Sequence, residues 1–347
     1  MEKLETKPVN DGLFIPAEWE EHDCCWMSWP HMDTLWDEDG LTGARRNIAA
    51  IARTLAEFET VRMMIREDDH AEAVLQCARK VEFLEAKVED LWIGDVGPSF
   101  VIDGMGGVAG VDWDFNAWGV RLPNYHADEN LSQALLGQLG MRRYEGPMVL
   151  EGGAISVDGS GTLLATEECL LGSDRNPLLD RERVEATLGE YFGVLKIVWL
   201  ENGLYGDLNE GQVCKVARFA RPGVVLAHDC MTLDDPDYPL VTENMYRLHK
   251  ATDTRGREFE VIPVPAPEKN RSSEVNGAAI SYLDFFIANG GVIVPGFDDP
   301  ADGKALEIIS NAFPDRKAVQ IPILELAAGG AGIHSAILAQ PKGKARA

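Results

Sequence analysis

No stretch of this chain is apolar enough, for long enough, to span a bilayer. The opening Met1-Glu2-Lys3-Leu4-Glu5 lacks the character of a secretory leader. Together these absences lead us to expect a cytoplasmic protein. Cysteine is sparse, and Cys24, Cys25, Cys77, Cys169, Cys214 and Cys230 show no paired zinc spacing, so free thiols and no metal centre are expected. A nucleotide-binding glycine motif and a cofactor lysine are also missing, which removes the usual reasons to expect an organic cofactor. No linker, low-complexity segment or heptad run interrupts the chain. Basic residues are few, 32 Lys and Arg against 57 Asp and Glu, for a net charge of −25. That balance would repel nucleic-acid phosphates and an anionic membrane surface, leaving a small-molecule substrate as the expected partner. Self-association into a homo-oligomer stays open. The acidic residues are spread along the chain, so they serve solubility before they serve steering of a cation.

What is present suits an enzyme-sized core. With 347 residues and 45% hydrophobic content, the chain can bury a large interior, and we treat 1–347 as one domain. Apolar spacing of three to four residues around Ile48, Ile51, Leu55 and Phe58 predicts a helix over 43–57, with a strand at Val61–Ile65 after it. Similar patterns predict helices over 69–79, 130–139, 181–191, 278–288 and 303–313, and strands over 224–227, 291–294 and 318–321. The mixture throughout is that of an α/β architecture.

Acidic or polar residues recur beside glycine at predicted strand ends: Asp95 before Gly97, Glu151 before Gly152, Glu210 before Gly211, and Asn276 before Gly277. Such pairs are also ordinary turn chemistry. The last of these loops, Gly329-Gly330-Ala331-Gly332-Ile333-His334-Ser335, lies between apolar runs and is built of residues small enough to let a ligand approach the backbone. Asp95 sits near Trp92 and Phe100, where desolvation should raise its pKa and suit it to general-base work or cation binding. In an extended segment Glu210, Gln212 and Cys214 would face one side, and His334 would face away from Ser335. A metal set of Asp95, Glu210, Cys214 and His334 is chemically permissible but has no ligand spacing to support it.

Six segments in order resemble the agmatine deiminase and bacterial peptidylarginine deiminase family: 14–22 (Phe14 to His22), 26–31 (Trp26 to His31), 92–100 (Trp92 to Phe100), 113–119 (Trp113 to Gly119), 150–153 (Leu150 to Gly153) and 281–291 (Ser281 to Gly291). The resemblance implies the pentein fold, five ββαβ modules arranged as a propeller whose glycine turns converge on a central active site. In that family a cysteine thiolate attacks a guanidinium carbon, a histidine shuttles protons and two aspartates clamp the guanidinium. Matching 206–219 to the family pattern G-D-D-T-x-G-H-V-D-x-x-A-R-F puts Gln212 at the histidine and Cys214 at the second aspartate. Ser335 stands at the nucleophile, Asp95 at the first aspartate, and Gly94 where the family has an arginine. A histidine at the position of His334 is usual in the family without being the shuttle.

Each replacement removes a requirement of that chemistry. A serine needs a base within reach, and the Gln212 amide is not one. A thiol at Cys214 offers no fixed charge to a guanidinium. The resemblance with these changes implies a hydrolase of a small polar molecule that activates water. Asp95 or Glu210 would be the base, Ser335, Gln212 and Cys214 hydrogen-bonding groups, and Trp92, Glu151 and His334 would bind substrate. A guanidinium carbon is deactivated by resonance, whereas a ketone, cyclic diketone or imine carbon accepts water more readily. Two alternatives stand beside this. One is guanidine deimination with another nucleophile such as Cys214, and the other is a catalytically silent protein that binds a ligand.

Overall fold

The structure is a computed structural model that describes residues 6–31, 36–77, 81–88, 91–121, 125–268 and 279–346. Its building unit is visible in the first helix. The Asp37 side chain accepts from the Gly40 N–H at 2.8 Å, and Glu38 and Asp39 complement the positive end of the helix dipole, so helix Glu38–Leu55 starts there. One stripe, including Ile48, Ile51, Ala52 and Leu55, is buried. The helix carries the chain across to strand Val61–Ile65, which pairs parallel with His22–Ser28. A parallel pair requires such a crossover.

The same order of two antiparallel strands, a helix and a parallel strand recurs around the molecule in five sheets. Ser99–Ile102 and Gly107–Asp114 are followed by helix Leu131–Leu139 and strand Arg143–Val149. Ser156–Val157 and Thr162–Thr166 lead through Arg181–Phe192 to Lys196–Leu200. Ala217–Arg221 and Val224–Asp229 lead through Asp237–Lys250 to Glu260–Pro265. Phe286–Ala288 and Gly291–Gly296 lead through Asp302–Ala312 to Lys317–Pro322. The ring closes because strand Ile337–Pro341 pairs antiparallel with His22–Ser28 and supplies the first sheet with its missing member. Among the described residues no helix is long and apolar enough to cross a membrane.

One predicted helix is wrong. In place of a helix over 278–288, residues 281–285 form a turn and Phe286–Ala288 is a strand; Ala278 lies outside the described residues. The Ser281 hydroxyl accepts from the Leu283 N–H, which fixes the turn, and Phe286 and Ile287 are needed opposite Ile293 and Val292. The apolar run suits either state, and strand pairing decides it.

The connections that precede the first strand of each unit meet at the axis. They are Ile93–Val96, Gly152–Ala154, Val213–Lys215, the turn at 281–284 and the turn at 333–336. Backbone and side-chain bonds tie them together: Gly94 N–H donates to the Ser335 carbonyl at 2.8 Å, Gly153 N–H to Asp95 Oδ1 at 2.9 Å, and His334 N–H to Asp284 Oδ1 at 3.1 Å.

Candidate active site

Four of the five axial connections bring a polar side chain to the buried axis, and the fifth, Gly152–Ala154, brings bare backbone against them. Asp95 is 2% exposed, and its other oxygen accepts from the Trp118 indole N–H at 3.3 Å. Glycine makes the crowding feasible: a Cβ on Gly153 would lie 2.5 Å from Gln212 Oε1 and 3.0 Å from Asp95 Oδ1, and one on Gly332 would lie 2.3 Å from Asp284 Oδ2. The two turns are thus glycine because carboxylate and amide groups pack directly on their backbone.

Gln212 is fully buried; its Oε1 accepts from Asn209 Nδ2 at 3.1 Å, and its Nε2 has no hydrogen-bond partner. Cys214 Sγ lies 3.9 Å from the same Oε1. Burial pushes the Cys214 thiol well above the usual thiol range, and the nearby Asp284 and Asp95 carboxylates push it further. Ser335 is fully buried and its Oγ is without a partner. His334 Nε2 faces Glu18 Oε2 at 3.5 Å, while Nδ1 is buried and unpartnered. The residues preceding Ser335 form a turn, so the alternation expected of an extended strand does not apply to His334 and Ser335.

Nor does it apply to Glu210. That residue has a left-handed backbone (φ 54°), and Val213–Lys215 is a short 3₁₀ turn, so Glu210 does not line up with Gln212 and Cys214. Its carboxylate accepts from Arg121 Nη2 at 2.7 Å and Arg175 Nη1 at 2.8 Å, beside an outer cleft that also carries Glu168, Asp174 and Asp207. Glu151 is buried against Arg175, whose Nε donates at 2.6 Å; burial raises its pKa and Arg175 partly offsets that. Trp92 is buried and packs against Trp36 with ring centroids 6.3 Å apart. Asn276 lies outside the described residues.

The geometry adds residues that sequence patterns did not single out. Asp284 takes the place on the axis that Asn276 was expected to fill. Burial raises its pKa, against the pull of Lys215, His334 and Arg218. It lies within a segment that carried the family resemblance, which was its only signal. Glu18 and Trp118 were in such segments too, whereas Arg175 was in none. Glu18 pairs with the buried Arg218, and although burial opposes ionisation, Arg218 and His334 hold its carboxyl down at about 2. Lys215 is buried; its Nζ donates to Asp207 Oδ1 at 2.7 Å and to the Gly330 carbonyl at 3.0 Å.

Five ββαβ units around a polar axis define a pentein-type enzyme fold. Residues 14–341 match the family model described as Porphyromonas-type peptidyl-arginine deiminase. The agmatine deiminase of Stutzerimonas stutzeri (strain A1501) is 39% identical over 366 aligned positions, covering 98% of this chain and 99% of that one. A structure of agmatine deiminase of Enterococcus faecalis matches with a TM-score of 0.93 at 32% identity, covering 98% of each chain. A cysteine-to-serine variant of the C. jejuni agmatine deiminase with substrate bound matches at 0.86 and 25% identity, over 96% of this chain and 97% of that one. The chain belongs to the Porphyromonas-type peptidyl-arginine deiminase family, whose scaffold is that of a hydrolytic enzyme.

Proposed function

We infer that the protein hydrolyses a small polar molecule at an electrophilic carbonyl or imine carbon, with water as the nucleophile in place of a thiolate. The observation that carries this reading is the state of the groups at the axis. The Cys214 sulfur is fully buried beside carboxylates that keep it protonated, and the side chain next to it, Gln212, is an amide that cannot take a proton. Ser335 Oγ has no base to receive its proton. Asp95, held by two N–H donors, is the general base in this reading. Gln212 Nε2 and Ser335 Oγ donate to the substrate oxygen as it gains charge. Glu210, already engaged by two arginines, closes the outer side. Ring opening of a cyclic ketone or diketone belongs to this class of reaction.

A second reading, guanidine C–N hydrolysis, is favoured by a different observation. The relatives are named agmatine deiminases, and Asp95 and Asp284 offer buried carboxylates to a cation. On the substrate the relatives favour this second reading, and on the nucleophile the site favours the first.

The test is parallel incubation in ¹⁸O-labelled water with agmatine, arginine and peptidyl-arginine, and with a panel of cyclic diketones and imines. Consumption of a carbonyl or imine compound with one labelled oxygen in the product, and no ammonia from the guanidines, is expected. Ammonia release from agmatine moves the substrate to the second reading, and a substrate-derived mass adduct on Cys214 or Ser335 sinks the water mechanism. Thermal stabilisation without consumption of any compound supports a silent binding protein.

A further inference from the structure

We propose that Cys214, Asp284 and His334 form a binding site for a divalent cation of the zinc class, and that this ion carries the attacking water. The inference rests on the water-activating reading above and gives it a source of nucleophile. The three side chains come from three different axial connections, and their ligand atoms lie within 4.8 Å of one another. Tetrahedral zinc with bonds of about 2.0–2.3 Å places its ligand atoms roughly 3.5 Å apart, so small side-chain rotations inward complete the cage. Three protein ligands leave the fourth position to water, the pattern of a hydrolytic centre. Thiolate with imidazole and carboxylate selects this class of ion over magnesium or calcium.

Independent features point to an ion in this place. His334 Nδ1 is buried without a partner, while Nε2 faces the Glu18 carboxylate at 3.5 Å. A carboxylate on the far nitrogen is the usual way a protein orients a metal-ligating imidazole. Arg218 in turn fixes Glu18. Gln212, fully buried with its Oε1 3.9 Å from Cys214 Sγ, leaves Nε2 unsatisfied, and Ser335 Oγ is unsatisfied as well. Buried polar atoms in this condition call for a missing partner, and a metal-bound water or the substrate it attacks is one.

The electrostatics agree. Burial makes both Cys214 and Asp284 costly to ionise, and the Asp284 and Asp95 carboxylates add to that cost at Cys214. A dication reverses that cost and displaces the thiol proton outright. An apolar cleft lined in part by Glu18, Gly94, Gly152 and His334 reaches the His334 side of this cluster. In the reaction, Asp95 takes one proton from the bound water and the resulting hydroxide oxygen bonds to the substrate carbon. As the scissile bond breaks, its electron pair stays on the leaving carbon or nitrogen, which receives that proton; no electron leaves the system.

The experiment uses the whole protein stripped with chelator, then dialysed against Zn²⁺ or Co²⁺. One equivalent of zinc per chain is expected, together with a thiolate-to-Co²⁺ charge-transfer band. Cys214→Ser should abolish the band and Asp284→Asn should weaken zinc binding, with circular dichroism unchanged. Glu18→Gln should retain the band and weaken zinc binding by about 10–100-fold. Cys77→Ser, in a helix away from the axis, is the control and should leave both readouts intact. Absence of the band in the unaltered protein, or binding indifferent to Cys214→Ser, overturns the site. Full turnover by the chelated enzyme also overturns it while leaving hydrolysis standing. One tightly bound equivalent in an inert enzyme upholds the site and sinks the hydrolase reading alone.

Discussion

Asp95 illustrates what a single side chain requires of its neighbours. Both oxygens are occupied, by the Gly153 N–H and the Trp118 indole, so the carboxylate is aimed as well as buried. Trp118 reaches it through a left-handed stretch in which Ala117, Trp118 and Val120 have φ of 53°, 51° and 63°. Such conformations cost about 1–3 kcal/mol each and persist only where surrounding structure enforces them. Asp95→Asn removes the base and sets an amide NH2 against one of the two N–H donors, so kcat should fall by about 10²–10⁴-fold and Tm should fall with it. Ser335→Ala distinguishes a hydrogen-bonding serine from a nucleophile. Loss of one donor to the charge developing on the substrate oxygen lowers kcat by about 10²–10³-fold. A total loss, with a covalent intermediate on the unaltered enzyme, would contradict the proposed role.

At the scale of elements, the axial connections hold one another in register. Lys215 reaches from its own short turn to Asp207 and to the Gly330 carbonyl, linking three loops through one buried ammonium. Lys215→Met leaves Asp207 as an uncompensated buried charge and should destabilise the fold by about 3–5 kcal/mol in urea unfolding. Burial opposes the charge on Lys215, but Asp207 and Asp284 outweigh it and raise its pKa above 10.5. Its stabilising contribution is therefore complete below pH 10.5 and is lost as pH rises through the folded value. The variant should accordingly show a flatter alkaline limb. Gly332→Ala tests the packing of two connections, since the added Cβ must displace the Asp284 carboxylate. Activity should be lost while circular dichroism is retained.

At the scale of the whole molecule, the Glu18 and Arg218 pair ties the first segment of the chain to the fourth unit. Arg218 also donates to the Leu283 and Phe285 carbonyls at 3.0 and 2.9 Å, beside the fifth. Glu18 is lowered from 4.5 to about 2, so its contribution is complete above pH 4.5 and fades as pH falls towards 2. Glu18→Gln should narrow its stability deficit relative to the unaltered protein across that window, measured by thermal unfolding at stepped pH. The net charge of −25 also bears on function, because the outer cleft carries Glu168, Asp174, Asp207 and Glu210 against Arg121. If the substrate is a cation, KM should rise with ionic strength while kcat holds.

Helices were legible because an apolar stripe is local, as are the apolar strands at Val61–Ile65 and Val224–Asp229. The start of the first helix was not: the apolar spacing placed it at Gly43, whereas the Asp37 cap starts it at Glu38. The fivefold order was legible through family motifs, and those motifs also marked the axial loops that carry Asp95, Gln212 and Ser335. Phe286–Ala288 was misassigned because an apolar run does not declare its pairing partner. Glu210 was given to the inner site because alternation was assumed where a positive φ and a 3₁₀ turn intervene. Sequence alone thus determined most of the elements, the acidic balance and which side chains stand at the matched motif positions, since propensity, charge and residue identity belong to residues and their near neighbours. Only the tertiary structure decided that Cys214, Asp284 and His334 lie together, that Glu18 faces His334 and Arg175 pairs with Glu151, and that Lys215 is buried against Asp207. Those facts depend on the closing of the ring, which brings residues far apart along the chain within bonding distance.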